Sequence, residues 1–448
     1  MDSVIPTAGR NPLSPPFVQW LCALLWVEPL WVMLLALPLT LPGYFLPIRY
    51  TPTLILLLFV AWPLRGWLAW YTGRSLRQPL LLPLAMLAVA LGVSLAVAVD
   101  LRLAWLMAAH LALGMALCLS LLYWPPAQHW PGLVAGGIIM VALLLSVIGP
   151  PLLGGALRSS RAAAFFAPLT PVVQGLGETL NANILAGGIL LAIPLLVALA
   201  LAPWGDRWWA LLIGVARTLL SLGLAWWLVQ ILTLTGSRGA LLATAVALVL
   251  VLLLRWPRLT SPMLILACVG LIWLLFNDPW MQLNAVMANG TAHDYNSRME
   301  IWIRSWLAFR RHFFTGIGIG GFVPLVVEQM APIRFLLPTQ VTHAHNLLLQ
   351  VGVDLGVLGV AAYAACMIIS GICAYQTWQQ GNLWRRTLAG GALAALAALN
   401  VHGLLDAPLW NSKVAFLPWL LFALCVLLSM PTRMVSRQGA FDHRQEEG

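Results

Sequence analysis

The sequence predicts an all-α polytopic membrane protein with about twelve transmembrane helices. Three observations carry that expectation. Only 8% of its 448 residues are charged and 61% are hydrophobic, whereas soluble domains run near 25% charged. Such scarce polar surface cannot cover a water-soluble globule. The apolar residues come in continuous blocks of about 20, the length of a membrane-crossing helix, and not in the alternation of a membrane barrel. Soluble enzymes and nucleic-acid-binding domains are thereby excluded. The formal net charge of +10 is scattered between apolar blocks, Lys413 being the only lysine, so no basic run points to nucleic acid.

Taken in order, the spans are expected near 17–38, 53–71, 79–98, 102–123, 132–150, 183–202, 208–233, 239–255, 260–276, 345–376, 388–406 and 413–431, in one integral membrane domain over 1–448. The first block is as long as a span and lacks a small-residue cleavage site, so it reads as an anchor. Trp67, Trp70, Tyr71, Trp204, Trp208 and Trp209 cluster at block ends, as interface anchors do. All six cysteines fall inside apolar blocks, where thiols pack, so neither a disulfide framework nor a metal site is expected. Arginines in alternate short loops, among them Arg74, Arg77, Arg207, Arg258, Arg385 and Arg386, place both termini on the inner side, with membrane-embedded Arg65 and Arg217 reaching toward that side.

The segment 277–344, between spans nine and ten on the outer side, is the only sizeable hydrophilic stretch. Ser297-x-x-Glu300 reads as a capping box. Trp302, Trp306, Phe309 and Phe313 then recur at helical spacing, predicting an amphipathic helix on the membrane or on the bundle.

Candidate chemistry concentrates on that side. Arg298, Arg304, Arg310, Arg311 and Arg334 lie in the long loop, and Arg158, Arg161 and Arg238 in shorter outer segments. Each alone can be a solvated loop charge. As a group they suit a phosphate or pyrophosphate, because the planar guanidinium binds phosphate through two parallel hydrogen bonds and stays charged. Arg238 stands between glycines in Thr235-Gly236-Ser237-Arg238-Gly239, where it either binds an anion or reaches the headgroups. His343-Ala344-His345-Asn346 opens the tenth span. An imidazole there is a general base or a helix cap, and the helix dipole would lower its pKa. Two histidines at i, i+2 are weak evidence for a metal. Asp354 and Asp406 either neutralise a buried arginine or, for Asp406, orient an imidazole. Asn181 and Asn183 read as caps first and sugar ligands second. Gly316-Ile317-Gly318-Ile319-Gly320-Gly321 matches G-x-G-x-x-G, but no strand precedes it, so a tight turn closing the amphipathic helix is expected.

Together these motifs resemble a known family. The Thr235-Gly236-Ser237-Arg238-Gly239-Ala240 turn, the run from Asn296-Ser297-Arg298 to Gly320-x-Phe322, and His343-x-His345-Asn346-Leu347-Leu348-Leu349-Gln350 with Asp354-x-Gly356-x-x-Gly359 resemble the O-antigen ligase and polymerase superfamily of bacterial envelope glycosyltransferases. The resemblance is best over about 230–360, and the asparagine turn at 181–183 extends it.

The resemblance implies a fold of the GT-C type, in the bacterial inner membrane with both termini cytoplasmic. It implies a metal-independent transfer, without cofactor, at the periplasmic face. An undecaprenyl-pyrophosphate-linked glycan would be the donor and a hydroxyl of lipid A–core oligosaccharide the acceptor. Carried over by position, Arg238 and Arg298 match functional arginines, and His345, with His343 as the other choice, matches an essential histidine. Arg161 and Arg304 rest on charge and side more than on a motif. Arginines would stabilise the pyrophosphate leaving group and a neutral histidine would take the acceptor proton. Direct displacement would invert the anomeric carbon. Membrane lipids are the remaining partner, and no nucleic acid is expected. An O-antigen polymerase is the alternative within the superfamily. A lipid or polysaccharide transporter is the alternative outside it, for which internal repeats and mid-membrane ionisable residues would be expected.

Overall fold

The computed structural model describes residues 15–41, 45–73, 76–153, 160–171, 180–205, 207–259, 261–262, 292–328 and 341–431. Its helices, in chain order, are α1 (Pro16–Trp26), α2 (Glu28–Thr40), α3 (Thr51–Leu58), α4 (Ala61–Thr72), α5 (Leu81–Ala96), α6 (Leu101–Leu122), α7 (Pro125–His129), α8 (Gly132–Leu152), α9 (Ser160–Phe166), α10 (Ala182–Leu190), α11 (Ala192–Ala200), α12 (Trp208–Thr235), α13 (Arg238–Arg255), α14 (Ala292–Arg311), α15 (Leu347–Gln380), α16 (Leu383–Leu405) and α17 (Leu417–Ser429). Eight helical stretches among the described residues are long and apolar enough to cross a membrane. The pair α1–α2, bent by 48°, makes a ninth, and α5 and α17 are shorter apolar helices. The protein is therefore a multi-pass, all-helical membrane protein. The expected span 260–276 lies almost wholly outside the described residues.

Lipid tails supply no hydrophobic drive between helices, so close packing of small residues holds such a bundle together. α16 shows this best: Ala389, Gly390, Gly391, Ala392, Ala394, Ala395 and Ala398 are all buried. A Cβ at Gly391 would lie 3.0 Å from Ala198 Cβ and 3.1 Å from Leu195 Cα, so only hydrogen lets α11 approach this closely. α16 packs against α11, α13, α15 and α17. Both of its ends thus become sites where several helices meet.

Cations inside the bundle have partners. Arg65 was expected to reach for the inner surface. It is instead fully buried, forms an ion pair with Glu28 and lies 5.1 Å from the Tyr123 ring centre. A charge paired between helices has no need of the headgroups. Arg217 donates to the carbonyls of Ala202 and Pro203, and Arg385 to those of Leu428 and Met430 at the end of α17.

α15 is broken at Gly356, whose φ of 68° lies in the left-handed region. In an unbroken helix Val357 N–H would bond the Val353 carbonyl. Here Val357 N–H donates to Phe313 O and Ile317 N–H donates to Val353 O, both at 2.8 Å. Ser94 Oγ donates to Asp354 O at 2.8 Å and accepts from Ile319 N–H at 2.7 Å. The glycine-rich turn, Gly316 to Gly321, therefore follows α14 as expected and also plugs the break. A Cβ at Gly316 would sit 2.6 Å from the Asp354 carbonyl and one at Gly318 2.7 Å from Ala98 Cα. Backbone freed at membrane depth must find such partners.

The expected capping box does not start α14. The helix begins at Ala292, five residues before Ser297. Its buried stripe is Ile301, Ser305, Ala308 and Phe309, while Trp306 and Phe313 are exposed. Only part of the aromatic face thus lies on the bundle. Ile301, Ala308 and Phe309 join Ile317, Phe322, Val341, Ala344 and Val353 in a small second core separate from the main one.

Substituting Gly356 by Ala forces a Cβ into the Phe314 carbonyl at a left-handed φ. It should lower the thermal unfolding midpoint in detergent, at a cost of about 1–3 kcal/mol. Gly223→Ala, with open space around its Cβ position, should leave the midpoint unchanged.

Candidate functional site

The link between α16 and α17 begins with Asp406, the residue that ends α16. Its carboxylate is 4% exposed and is surrounded by donors. His343 Nε2 lies 2.6 Å and His345 Nδ1 3.2 Å from Oδ1. Ala407 N–H donates to the same oxygen at 2.8 Å, and Asn183 Nδ2 donates to Oδ2 at 2.6 Å. Asn181 caps α10, accepting from Asn183 N–H at 2.8 Å. The asparagine turn thus splits into a cap and a carboxylate ligand. Burial by itself would raise the Asp406 carboxyl. The hydrogen bonds from the two histidines outweigh it and hold the group well below the usual carboxylate range.

The histidine loop is fixed from several sides. Ala344 is wholly buried, and its N–H donates to Gln350 Oε1 at 2.6 Å. Trp302 Nε1 donates to the His345 carbonyl at 3.2 Å. Asn346 caps α15, accepting from Leu349 N–H at 3.0 Å, and its amide donates to Leu404 O at 3.1 Å. His345 has φ 49°, uncommon for a residue with a side chain and a form of strain that persists where surroundings enforce it.

A carboxylate only accepts, so each imidazole nitrogen facing Asp406 carries a proton. That fixes opposite tautomers. His343 keeps its proton on Nε2, and its Nδ1 faces Thr342 Oγ1 at 3.0 Å. His345 keeps its proton on Nδ1, leaving Nε2 as a lone pair with no hydrogen bond among the described residues. The two rings are 4.2 Å apart. Burial lowers the His345 pKa, with smaller contributions from His343 and Arg298, against the opposing pull of Asp406. The direction matches the sequence expectation, with desolvation as its first cause.

Arg298, on α14, lies close enough to act electrostatically on both His345 and His402. Arg238 begins α13 and is exposed. Its neighbour Gly239 presses against the His402 ring, where a Cβ would lie 3.4 Å from Cδ2. The turn before it is held by Gly236 at φ 66° and by Ser237 N–H donating to Thr235 Oγ1 at 3.2 Å. Arg304, in contrast, is 11% exposed and forms an ion pair with Glu300 one turn earlier at 2.6 Å. Arg161 lies on α9, with its side chain outside the described residues, as is Arg334. Sequence reading left out His402, four residues before Asp406 and almost fully buried. A histidine one turn from an acid at a helix end was the signal.

Asp354 makes no hydrogen bond to either histidine among the described residues. It is fully buried and accepts from Trp410 Nε1 and Asn411 Nδ2, each at 2.8 Å, which braces the chain just after Asp406. No arginine is its partner among the described residues. A metal ion could be held by His343, His345 and Asp406, whose ligand atoms lie within 4.8 Å of one another. In the structure Asp406 instead bonds both rings directly.

Residues 223–364 match the family described as O-Antigen ligase. That match supports the O-antigen ligase/polymerase superfamily, which the motifs resemble. It covers roughly a third of the chain and spans Arg238, Arg298, the plugged break and both histidines. Asp406, His402 and Asn183 lie outside it. Comparison with curated proteins gives no match.

Side-chain NMR titration of the histidines should show His345 neutral at pH 7, protonating below the ordinary imidazole value of about 6.5. Asp406→Asn removes an interaction that favours the imidazolium, so it should lower that midpoint further.

Proposed function

We propose that the protein is a glycosyltransferase that moves a glycan from undecaprenyl pyrophosphate to a hydroxyl of lipid A–core oligosaccharide, at the periplasmic face of the bacterial inner membrane. The family match supports a lipid-linked glycan as donor. The observation that carries the reaction is the tautomer pair on Asp406, which leaves His345 Nε2 as an open lone pair on a histidine held neutral.

In this reading the acceptor hydroxyl attacks the anomeric carbon and its proton passes to His345 Nε2. The bond from that carbon to the pyrophosphate oxygen breaks, and the lipid pyrophosphate leaves with the electron pair. One displacement inverts the anomeric centre. Asp406 holds the imidazole in the useful tautomer and stabilises the imidazolium that forms. His343, with Nδ1 facing Thr342 and Nε2 on Asp406, acts as a positioning residue. Arg298, which acts electrostatically on His402, and Arg238, whose neighbour Gly239 meets the His402 ring, would meet the charge growing on pyrophosphate. Arg304, compensated by Glu300, is the weaker candidate. The GT-C fold type and cytoplasmic termini belong to the same proposal.

The test is transfer by purified protein from undecaprenyl-pyrophosphate glycan to lipid A–core, with EDTA present. Wild type should give glycosylated core, and His345→Ala should lose on the order of 10²- to 10⁴-fold in rate. Arg298→Ala and Arg238→Ala should each lose on the order of 10²-fold. Longer glycan on the lipid carrier, with none on core, would make the protein a polymerase. Loss of activity in EDTA, restored by a divalent ion, would move the histidines and Asp406 from base to metal ligands.

In the same assay the rate should fall as pH drops through the lowered His345 pKa, because protonation fills Nε2. The acid limb should therefore lie below about pH 6.5.

A further inference from the structure

α13 and α16 each run from the candidate site to the opposite end of the bundle. From Arg238 to Arg255 is about 26 Å and from Leu405 to Leu383 about 33 Å at 1.5 Å per residue, close to the roughly 30 Å of a bilayer's hydrocarbon core. At that far end lies a cavity of about 190 Å³ lined by Arg255, Arg386, Trp378, Thr387, Leu254 and Gly390, with Ala198 and Val251 deeper in.

Its walls divide by chemistry. Toward the bundle they are apolar, and the absence of a side chain at Gly390 creates the space. A Cβ there would reach Trp378 Cδ1 at 3.7 Å and Leu254 Cδ1 at 3.9 Å. At the mouth stand two guanidinium groups. Arg255 is oriented by its Nε, which donates to Leu201 O at 3.0 Å, and by the Trp256 ring 5.6 Å away. The Arg386 side chain makes no hydrogen bond among the described residues. No acidic side chain lines the cavity among those residues. Arg385 beside it is spent on the end of α17.

We infer that this cavity binds one anionic phospholipid of the membrane leaflet opposite the candidate site. Its phosphate sits between Arg255 and Arg386, and an acyl chain lies along Trp378, Leu254 and Gly390. Two arginines with no acid among the described lining residues suit a phosphate diester, and the apolar floor suits a chain and not a soluble anion. The lipid joins α11, α13 and α16 at the end remote from the chemistry. The site stands whichever acceptor the other end uses.

Native mass spectrometry of the full chain, released from detergent with equimolar phosphatidylglycerol and phosphatidylethanolamine, tests this. Wild type should retain one phosphatidylglycerol in preference. The exposed double variant Arg255→Gln/Arg386→Gln should lose that preference by about tenfold or more. Gly390→Leu, which fills the floor and keeps both charges, should also lose the lipid, with its unfolding midpoint checked alongside. Arg310→Gln/Arg311→Gln, at the other end, should bind as wild type does. Equal retention of the two lipids, or full retention by the arginine double variant, would overturn the site. Displacement of the lipid by millimolar inorganic phosphate would also overturn it, since the arginines would then be reading a free anion.

Discussion

A carboxylate buried beside a membrane has to collect donors, and Asp406 collects them from two distant parts of the chain and from its own turn. Asn183 comes from the start of α10, His343 and His345 from the loop before α15, and Ala407 from its own turn. Removing any one leaves lone pairs of a buried anion unmet, which is costly at low dielectric. The same bonds set the proton positions on both imidazoles. Packing at this end of the bundle and the electronic state of the histidines are therefore a single arrangement, and neither can change without the other.

The second constraint is the break at Gly356. A gap in a membrane helix exposes carbonyl and N–H groups, and lipid offers them nothing. Phe313 and Ile317 supply partners by exchanging hydrogen bonds with Val357 and Val353, and Ser94 meets the Asp354 carbonyl. That exchange ties α14 to α15, and α14 carries both Arg298 and Trp302. Trp302 in turn holds the His345 carbonyl. The glycine pattern that imitates a nucleotide loop is thus the structural seat of the histidine loop. Its glycines are needed because neighbouring backbone lies where a Cβ would be.

Much of the fold was legible because hydropathy in a bilayer is a one-dimensional signal. The described span-length helices fall where the apolar blocks are, even where α1–α2 bends and α5 and α17 run short. The start of α14 was not legible. Ser297 and Glu300 have the spacing of a capping box, yet that spacing also occurs inside a helix, and local pattern does not distinguish the two. The environment of Arg65 was equally hidden, because its partner Glu28 is 37 residues away on another span.

For the site, sequence alone determined which residues are chemically unusual. Arginines stand in segments that the charge pattern leads one to expect on the outer side, and two histidines stand at a helix start beside asparagine. Those facts follow from the cost of placing polar groups at a membrane boundary. The tertiary structure decided which of them share a space. It brought Asp406 to both histidines and Arg298 near His345 and His402. It set Arg304 against Glu300 and Asp354 under Trp410 and Asn411. The reason is geometric. Which nitrogen of an imidazole is left open depends on a carboxylate 61 to 63 residues along the chain, and only the packing of α16 against α13 and α15 fixes where that carboxylate stands.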